Sequence, residues 1–461
     1  MKILLVIPPV FYLRQPHIGV AYIASFLKKY GYETKVMDLN TEFQINNDGD
    51  DAYWSLMDNG REFYYKNLTL FNKLIQEILD YDPQIIGFSV YSTTLFFSLK
   101  LALRIKKIDK KKLIVFGGYL CNVQPEEIFN YPQVDILVLG EGEVTMLEIV
   151  REFEKKNRIE YVPGTIFRYD GKIINCGRRD EFYNLDELPF PDFSDFKLER
   201  YLYRYHIPII FSRGCSWRCS FCTVFKSWQK FRKRTADNIY KEILFRLQQY
   251  PITKQFEICE PAFNQDLELI SRLSEFIITD RLNIKFSGMA QIRTEITPEL
   301  LDKMRKAGFS VMNYGIESGS SKILKLMRKN YTPEEAERVI RDTYNAGIDV
   351  VANFIVGFPG EMEEDFYQTL KFIEKNKRYF SNIAPAHECD IKYTEIYSNP
   401  KKYNVYIPQV DEYVRFWRTL DGSNDFKERE KRKKIFDKFV RDLGITLRCG
   451  QDDRRYEYCI G

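Results

Sequence analysis

The stretch FSRGCSWRCSFCTVFKSW, residues 211–228, decides how this chain is interpreted, because it brings Cys215, Cys219 and Cys222 close together in sequence. A C-x3-C-x2-C triplet can hold three irons of a 4Fe–4S cluster and leave the fourth iron open to another ligand. Structural zinc prefers four Cys or His ligands, and this stretch contains no further Cys or His. The triplet therefore predicts an iron–sulfur centre with one open coordination position.

The composition indicates a globular protein that is not built for a membrane or for nucleic acid. The chain has 461 residues, of which 44% are hydrophobic and 29% are charged, enough for several domains. Its net charge is only +4, and the densest charged run, KEREKRKK at 427–434, mixes both signs, so we interpret it as a solvated helix face. No apolar stretch approaches the about 20 residues of a membrane span, and the N-terminus does not resemble a signal peptide. We expect a cytoplasmic protein with no nucleic-acid or membrane partner.

The first 150 residues alternate short apolar strands with amphipathic helices. The strand signals are KILLVIPPV (2–10), ETKVMDL (33–39), IIGFSVY (85–91), KLIVFGG (112–118) and VDILVLG (134–140). The alternation predicts an α/β domain at 1–150 with a doubly wound, Rossmann-like parallel sheet. In such sheets the ligand crevice lies outside the carboxyl ends of the strands. The candidate binding residues are therefore in the turns at those ends: Ser89, Thr93, Gly117, Gly118, Gly140, Glu141 and Gly142.

Three further regions follow the first domain. Residues 151–203 contain a predicted hairpin with a DG turn and a Pro-rich linker, LDELPFPDF. Residues 204–395 alternate six strand signals with helices, which suggests a partial (β/α)6 barrel with its site at the carboxyl ends of the strands. The cysteine loop follows the first of these strands. Residues 396–461 are aromatic-rich and are predicted to form a small helical region.

The cysteine spacing, with the aromatic residue Phe221 just before the third cysteine, resembles that of the radical S-adenosylmethionine (radical SAM) superfamily. The N-terminal block, from ILLVIPP through VFGGYLCNVQPEEI to LVLGEGE, resembles the cobalamin-binding domain that precedes many radical SAM barrels. The resemblance implies three cofactors: a 4Fe–4S cluster held by the three cysteines, S-adenosylmethionine bound at the open iron, and cobalamin in the N-terminal domain. The protein would bind, orient and shield these groups, which carry the chemistry.

The same resemblance gives expected roles to residues of the barrel. Phe221 would pack near the adenine, Glu317 in YGIESGS would reach the ribose or the methionyl end, and Gly357 in NFIVGFPGE would contact the adenine through its backbone. Glu260 keeps the acid at a place where the family often has an acidic pair. Glu361 is expected to cap the following helix.

Cobalamin proteins with a histidine as lower axial ligand carry Asp-x-His-x-x-Gly, and this chain departs from that pattern. Its nearest histidine stands in Gln15-Pro16-His17-Ile18-Gly19, which lacks the aspartate and has a different glycine spacing. We interpret His17 as a loop residue. The resemblance implies a lower cobalamin face without a histidine.

Three residues near the barrel mouth are candidates for a role on the substrate. Arg293 could be a carboxylate clamp or could form a structural salt bridge, and the sequence leaves both open. His387 and Tyr393, which cluster with Cys389 on the sixth strand signal, could act as an acid, a base or a hydrogen-atom donor, or could be core or surface residues. In related enzymes a tail such as 396–461 shapes substrate choice. Cys449 and Cys459 in this tail could form a second metal site or quench a radical, but we expect them to be bystanders.

With this resemblance, the chain is predicted to be a cobalamin-dependent radical SAM enzyme that methylates an unactivated carbon. The resemblance implies a 5′-deoxyadenosyl radical that removes a substrate hydrogen, followed by methyl delivery from methylcobalamin. Three alternatives stay open: rearrangement or cyclisation without methyl transfer, methylthio transfer, and a cobalamin- or metal-sensing protein. The expected partners are a peptide, a protein or a small natural product as substrate, and an electron donor such as flavodoxin or ferredoxin.

Overall fold

The computed structural model describes residues 1–11, 13–43, 57–408 and 411–447. The chain divides into two compact units, of which the first contains Met1–Ile209, Lys226–Arg234 and Leu244–Thr253, and the second contains the other residues. Cys449 and Cys459 lie outside the described residues. Within the described ranges, no helix has both the length and the apolar composition needed to cross a membrane.

The first unit is built on a mostly parallel sheet of strands β1 (Lys2–Ile7), β2 (Glu33–Asp38), β3 (Ile85–Ser89), β4 (Leu113–Gly117), β5 (Ile136–Val138), β6 (Thr165–Tyr169) and β7 (Lys172–Asn175). Their order is β2-β1-β3-β4-β5-β6-β7, and the neighbours from β2 to β5 are parallel. The inner strands β1, β3, β4 and β5 are apolar runs that are largely buried on both faces, as parallel sheets require. The edge strands β2 and β7 are partly exposed. The predicted doubly wound sheet is confirmed.

Helices cover both faces of this sheet. Leu4 packs in one core with Phe71 and Phe97, whereas the adjacent Leu5 points to the other face, near Met146. The helices are α1 (Ile18–Lys29), α2 (Asn40–Phe43), α3 (Met57–Lys66), α4 (Leu68–Tyr81), α5 (Leu95–Ile108), α6 (Tyr119–Val123), α7 (Pro125–Phe129) and α8 (Gly142–Lys156).

The order of the strands places a ligand crevice. From β1 the sheet grows to β2 on one side and to β3, β4 and β5 on the other, so the winding direction reverses between β1 and β3. Ligands of open α/β sheets bind outside the carboxyl ends of the strands at such a reversal. The loops after β1 and β3 are therefore the expected walls of the crevice.

The predicted hairpin is confirmed, but it belongs to the first sheet. β6 and β7 pair antiparallel across Asp170 and Gly171, which both have positive φ, 47° and 74°. β6 also pairs antiparallel with β5. This part of the segment 151–203 therefore extends the sheet of the first unit.

The following strands are β8 (Ile207–Ile209), β9 (Ser212–Arg213), β10 (Arg232–Lys233), β11 (Gln255–Ile258), β12 (Lys285–Ala290), β13 (Phe309–Glu317), β14 (Asp349–Val356), β15 (Asn382–Ile383) and β16 (His387–Glu388). In the second unit β11 to β15 lie in sequence order with parallel neighbours, and β16 also pairs in parallel with β14. This agrees with the predicted partial βα barrel.

The helices that alternate with these strands are α9 (Val224–Ser227), α10 (Ala236–Gln249), α11 (Leu267–Thr279), α12 (Pro298–Lys306), α13 (Ser321–Met327), α14 (Pro333–Asn345) and α15 (Glu363–Asn376). Side-chain oxygens of Asp266, Thr297, Ser320 and Thr332 accept hydrogen bonds from the first turns of α11 to α14. These caps satisfy amides that the helices leave open, so the sequence sets where each helix begins.

The C-terminal region differs in part from the helical expectation for 396–461. α17 (Phe426–Asp442) is a long helix, but α16 (Glu395–Ser398) is one turn, and β17 (Val405–Tyr406) pairs antiparallel with β18 (Arg418–Thr419). Trp417 explains the hairpin, because its ring is buried in a small apolar core and its Nε1 donates to the carbonyl of Cys389 at 3.0 Å. Single 3-10 turns lie at Leu185–Glu187, Leu198–Arg200, Phe263–Gln265, Lys377–Tyr379, Pro400–Tyr403 and Asp411–Phe416.

The charged run at 427–434 is only partly a solvated face. Lys431 and Lys434 are exposed, but Arg429 and Arg432 are buried. The two arginines are three residues apart and therefore lie on the same face of α17, which packs inward. The interpretation of the run as a solvated face was therefore wrong for Arg429 and Arg432. A run of mixed charges does not show which of its residues have buried partners.

Candidate functional site

The three cysteines of the triplet lie in one loop of the second unit, between β9 and α9. Their thiols are free, Cys219 is buried, and Cys215 and Cys222 are half-buried. Burial raises the pKa of all three thiols, to about 11 for Cys219, and Lys329 acts in the opposite direction on each. The N–H of Val224 donates to the Sγ of Cys222 at 3.5 Å, and such bonds stabilise cluster thiolates.

The chemistry of these thiols fits the predicted cluster. Cys215, Cys219 and Cys222 are free thiols that belong to one loop. A 4Fe–4S cluster needs neighbouring thiols that each bind a different iron. The three cysteines would hold such a cluster.

Two sets of hydrogen bonds fix the cysteine loop within the second unit. The N–H and Oγ of Ser216 donate to Oε1 of Gln265 at 2.8 and 3.1 Å, and Nε2 of Gln265 donates to the carbonyl of Gly214 at 3.3 Å. On the other side, the N–H of Ser220 donates to the carbonyl of Met327 at 3.2 Å, and its Oγ donates to that of Leu326 at 3.1 Å. The protein thus orders the loop through its own hydrogen bonds.

Glu260 lies just after β11 and is buried. Its Oε1 accepts a hydrogen bond from the N–H of Phe211 at 3.2 Å, and its Oε2 accepts one from the hydroxyl of Ser212. Both partners belong to the segment that leads into the cysteine loop. The structure therefore places Glu260 as an anchor of that segment.

Arg293 lies after β12 and holds Gln265, whose side chain is hydrogen-bonded to the cysteine loop. Its guanidinium donates to the carbonyls of Gln265 and Asn264 at 2.6 and 3.2 Å and pairs with Glu295 at 3.2 Å. Its central carbon lies 5.5 Å from the ring centre of Trp217, in the cysteine loop. Of the two roles that the sequence left open, these contacts favour the structural salt bridge.

Glu317 ends β13 with a φ of 68°, a left-handed conformation that is uncommon for a residue with a side chain. Its Oε1 accepts from Nζ of Lys329 at 3.0 Å, and the two side chains are only 11% and 2% exposed. Burial alone would lower the pKa of Lys329, but the charges of Glu317 and of nearby groups, Cys219 among them, raise it above its usual value. Nζ lies 5.5 Å from the ring centre of Phe221. The predicted residues Glu317 and Phe221 are thus brought together at one buried ion pair.

Gly357 follows β14 with a φ of 73°. Its N–H donates to Oε2 of Glu361 at 2.6 Å, and its carbonyl accepts from Nδ2 of Asn424 at 2.9 Å. A Cβ on Gly357 would lie 2.4 Å from Cγ of the buried Arg429. Close packing against the C-terminal region therefore requires glycine here.

Glu361 does not cap α15, contrary to the prediction from the sequence. Its carboxylate accepts from Nη1 of Arg432 at 2.8 Å as well as from Gly357, while the N–H of Met362 at the start of α15 donates to Asp365 at 3.0 Å. Burial raises the pKa of Glu361 to about 7, although Arg432 counteracts it. The prediction failed because the partner of Glu361 is 71 positions away in sequence.

The structure separates the environments of the residues assigned to the sixth strand signal. His387 lies on the short strand β16 and is exposed, whereas Cys389 is buried in the apolar core beside Trp417. Tyr393 comes after the strand, with a φ of 65° and Nζ of Lys392 5.0 Å from its ring centre. His387 is therefore open to solvent, whereas Cys389 belongs to the apolar core.

His17 lies at the crevice of the first unit and caps α1. Its Nδ1 accepts from the N–H of Val20 at 3.3 Å, and its Nε2 lies 3.0 Å from Oγ of Ser89, at the end of β3. The neutral ring with Nδ1 as acceptor carries its proton on Nε2 and donates it to Ser89. Phe11 stacks on the ring with centroids 4.8 Å apart, and Tyr91 lies 5.7 Å away. His17 is a loop residue, as interpreted, and both of its nitrogens are bonded within the protein.

This environment predicts a pH dependence of stability. Burial lowers the pKa of His17 from 6.5 to about 4, so protonation is easier in the unfolded chain. The stabilising contribution is present above pH 6.5 and is lost as the pH falls from 6.5 towards 4. We expect the unfolding temperature to fall less steeply over this range in His17→Asn, which keeps a capping oxygen. Parallel pH profiles of variant and wild type, in thermal unfolding followed by circular dichroism, would contradict the assignment.

The loops after β3 and β4 form the rest of the crevice. Gly118 has a φ of 111°, and a Cβ there would lie 2.9 Å from the backbone N and O of Val90, so only glycine fits. Gly117 accepts a hydrogen bond from the N–H of Val90 at 2.7 Å, and Thr93 is buried in the same loop. The rings of Phe11, Tyr91 and Tyr119 are half-buried around these backbones. Hydroxyl, backbone and aromatic groups at a strand reversal fit a large ring with polar amides at its edge, such as cobalamin.

The turn after β5 is held mostly by internal contacts. Glu141 forms a bidentate pair with Arg232, both at 2.9 Å, and accepts from the N–H of Phe182 at 3.0 Å. The N–H of Gly140 donates to Asn122 at 2.7 Å. The structure therefore uses the carboxylate of Glu141 to join parts of the first unit. At Gly142, the first residue of α8, a Cβ would lie 2.7 Å from Ile23 of α1.

The structure reveals residues that the sequence did not single out. Lys329 stands in MRKNYT, directly after α13, where a lysine is usually solvated, and only the fold shows that it is buried. Gln265, Asn424, Arg429 and Arg432 are equally ordinary in sequence. Their partners are far along the chain, so no local spacing marks them.

Two family models match the chain. The radical SAM superfamily matches residues 209–373, and the B12 binding domain matches residues 10–150. The first match contains the cysteine loop and the Glu317–Lys329 pair, and the second contains the crevice at His17 and Ser89. Each match thus covers one of the two places at which the structure gathers candidate residues.

Curated relatives match most of the chain at low identity. An uncharacterized methyltransferase of Pyrococcus horikoshii is 26% identical over 387 residues, 81% of this chain and 78% of the relative. The anaerobic magnesium-protoporphyrin IX monomethyl ester cyclase of Rubrivivax gelatinosus is 27% identical over 380 residues, 77% of this chain and 61% of the relative. Relatives at the same level of identity therefore carry different activities in their names.

Among solved structures, the radical S-adenosylmethionine methyltransferase TsrM of Kitasatospora setae, with cobalamin and a 4Fe–4S cluster bound, has a similar fold. The TM-score is 0.70 at 16% sequence identity, and the alignment covers 98% of this chain and 92% of TsrM. At this identity the similarity shows a shared fold. It extends over the C-terminal region as well as over both matched domains.

Proposed function

Because this chain belongs to the cobalamin-dependent radical SAM enzymes, with a 4Fe–4S cluster, S-adenosylmethionine and cobalamin as cofactors, we propose that it transfers a methyl group to an unactivated carbon. One observation carries the proposal: a loop with three free thiols and a crevice with backbone and hydroxyl groups occur in one chain. When bound, the cluster supplies an electron that cleaves S-adenosylmethionine, and cobalamin carries the methyl group.

The chain's own residues would bind and orient these groups. Cys215, Cys219 and Cys222 would hold the cluster, and Phe221 and Glu317, which both lie next to Lys329, would contact S-adenosylmethionine. Gly357 would bring the end of β14 close to the adenine, and Glu260 and Arg293 would position the cysteine loop. Cobalamin would lie against four residues of the crevice, Ser89, Thr93, Gly117 and Gly118, and against the turn after β5, which contains Gly140, Glu141 and Gly142.

Two candidates for contact with the substrate are kept in the proposal. His387 is exposed at the end of the sheet, next to the strand that carries Gly357, and can exchange a proton with a bound molecule. Tyr393 follows in the next turn. The substrate class, whether peptide, protein or small natural product, is open in this proposal. The required electron would come from a small reducing protein such as flavodoxin or ferredoxin.

Methyl transfer is supported by the names of the P. horikoshii relative and of TsrM. The alignment with TsrM covers nearly the whole chain. The relative from R. gelatinosus supports a second candidate, a cyclisation without methyl transfer. The two reactions differ in their products, because only the first adds a carbon to the substrate. The mass of the product therefore separates them.

The proposal is tested by following a labelled methyl group. The protein is reconstituted anaerobically with iron, sulfide and hydroxocobalamin, and then receives trideuteromethyl S-adenosylmethionine, a reductant and a metabolite and peptide extract. We expect a product that gains the deuterated methyl group on carbon, and only when cobalamin is present. A product that is altered but contains no deuterium would contradict methyl transfer and would indicate rearrangement or cyclisation.

A further inference from the structure

The buried ion pair Glu317–Lys329 lies beside the cysteine loop. Ser220 of the loop is hydrogen-bonded to the last turn of α13, at Leu326 and Met327, and Lys329 follows two residues later. The ammonium also faces the ring of Phe221, which lies between two of the cysteines, at 5.5 Å. Lys329 is thus packed against the loop from the inside.

Several groups hold Lys329 in this place. Nζ donates to Glu317 at 3.0 Å and to the carbonyl of Gly315 at 3.3 Å. A Cβ on Gly315 would lie 2.4 Å from Oε1 of Glu317, so the glycine leaves the space in which the carboxylate sits. The hydroxyl of Tyr331 donates to the same carbonyl at 3.0 Å. The charge is therefore fixed in position, and it cannot swing into solvent.

The geometry places this charge against the cysteine loop. Nζ of Lys329 lies 5.5 Å from the ring centre of Phe221, the residue directly before Cys222, and Ser220 of the loop donates to the carbonyl of Met327, two residues before Lys329. The same ammonium donates to Glu317 at 3.0 Å, so Glu317 is its counter-charge. In a buried site such a charge is weakly screened.

We propose that Lys329 sets the reduction potential of the cluster, and that Glu317 attenuates its effect. A cluster that takes up one electron becomes more negative by one charge, so a fixed ammonium next to it stabilises the reduced form. This role needs no contact with substrate. Lys329 acts on the electron-transfer step through its charge alone. The inference rests on the cluster of the proposed function, but not on methyl transfer.

The test measures how far the cluster is reduced at a fixed applied potential, by electron paramagnetic resonance, in protein reconstituted without S-adenosylmethionine. In Lys329→Met/Glu317→Gln, which removes both charges, we expect the ratio of reduced to oxidised cluster to fall about tenfold, a shift of about 59 mV for one electron. In Glu317→Gln alone, measured at mildly acidic pH so that the buried Lys329 keeps its proton, the ratio should rise, because the ammonium loses its counter-charge. Lys329→Arg, which keeps the charge, should stay close to wild type.

The ratio of reduced to oxidised cluster should fall in the double variant and rise in Glu317→Gln. Damage to the fold would lower the cluster content of both variants but would not shift the ratio in opposite directions. The control is Lys325→Met, which removes an exposed lysine of α13 and should leave the ratio unchanged. Unchanged ratios, or shifts of the same sign in both variants, would overturn the inference. If the double variant does not assemble a cluster, Glu317→Gln alone decides. Wild-type protein that assembles no cluster would contradict the proposed function instead.

Discussion

Cys222→Ala is expected to abolish assembly of the 4Fe–4S cluster. The loop provides three thiols, and each would bind a different iron, so the loss of one leaves two protein ligands for the whole cluster. Replacement of outer partners of metal ligands already costs about 10–100-fold, so loss of a ligand should reduce formation of 5′-deoxyadenosine by at least about 100-fold. Iron and sulfide per chain, together with 5′-deoxyadenosine detected by mass spectrometry, are the measurements.

The matched control for this variant is Cys176→Ala. Cys176 is a free, half-buried thiol of the first unit that lies next to β7. Its replacement should leave iron content and formation of 5′-deoxyadenosine unchanged. If Cys222→Ala kept full iron content and activity while the fold was intact, the assignment of the cluster ligands would be wrong. The first unit should still bind cobalamin in Cys222→Ala, since no residue of its crevice is altered.

Arg432→Met should cause the second large effect, on stability. Nη1 of Arg432 donates to the carboxylate and to the carbonyl of Glu361, at 2.8 and 3.0 Å, and the side chains are only 4% and 1% exposed. Removal of one partner from a buried pair costs about 3–5 kcal/mol, because the remaining charge has no partner. Glu361 also accepts from Gly357, so the end of β14 should loosen as well. Chemical unfolding of the variant and the wild type measures the loss.

The double variant Arg432→Met/Glu361→Gln tests the reason for that loss. It leaves no unpaired charge at position 361, and Glu428, the other partner of Arg432, still lies 3.3 Å from Nζ of Lys431. The double variant should therefore regain more than half of the lost free energy of unfolding. Lys434→Met, an exposed position of the same helix, should be close to neutral. A double variant that is as unstable as the single variant would show that packing of the arginine, rather than the ion pair, is responsible.

Much of the fold could be predicted because its signals are local. The apolar runs from KILLVI to IIGFS gave the strands of the first sheet, and the DG dipeptide gave the hairpin at Asp170 and Gly171. The cysteine triplet likewise marks its site by spacing alone. The ends of the strands lie up to three residues inside the expected bounds, as for the strand expected at 134–140 and found at Ile136–Val138, whereas several strand starts are unchanged.

The parts that could not be predicted depend on partners distant in sequence. Glu361 looked like a helix cap, and only the fold brings Arg432 to it. Residues 396–461 were expected to be helical, but Trp417 is buried in an apolar core next to the paired strands β17 and β18. Lys329 carries no local mark, because burial of its ammonium depends on Glu317 and Gly315 of β13. Each case is a long-range contact that overrides a local preference.

The most direct test of the account is whether one reconstituted chain forms both products of S-adenosylmethionine in a cobalamin-dependent way. The protein is loaded anaerobically with iron and sulfide, with or without hydroxocobalamin, and then receives S-adenosylmethionine and a reductant. We predict bound cobalamin at one per chain, 5′-deoxyadenosine, and S-adenosylhomocysteine that appears only when cobalamin is bound. If 5′-deoxyadenosine forms while the chain binds no cobalamin and produces no S-adenosylhomocysteine, methyl transfer by this route is contradicted.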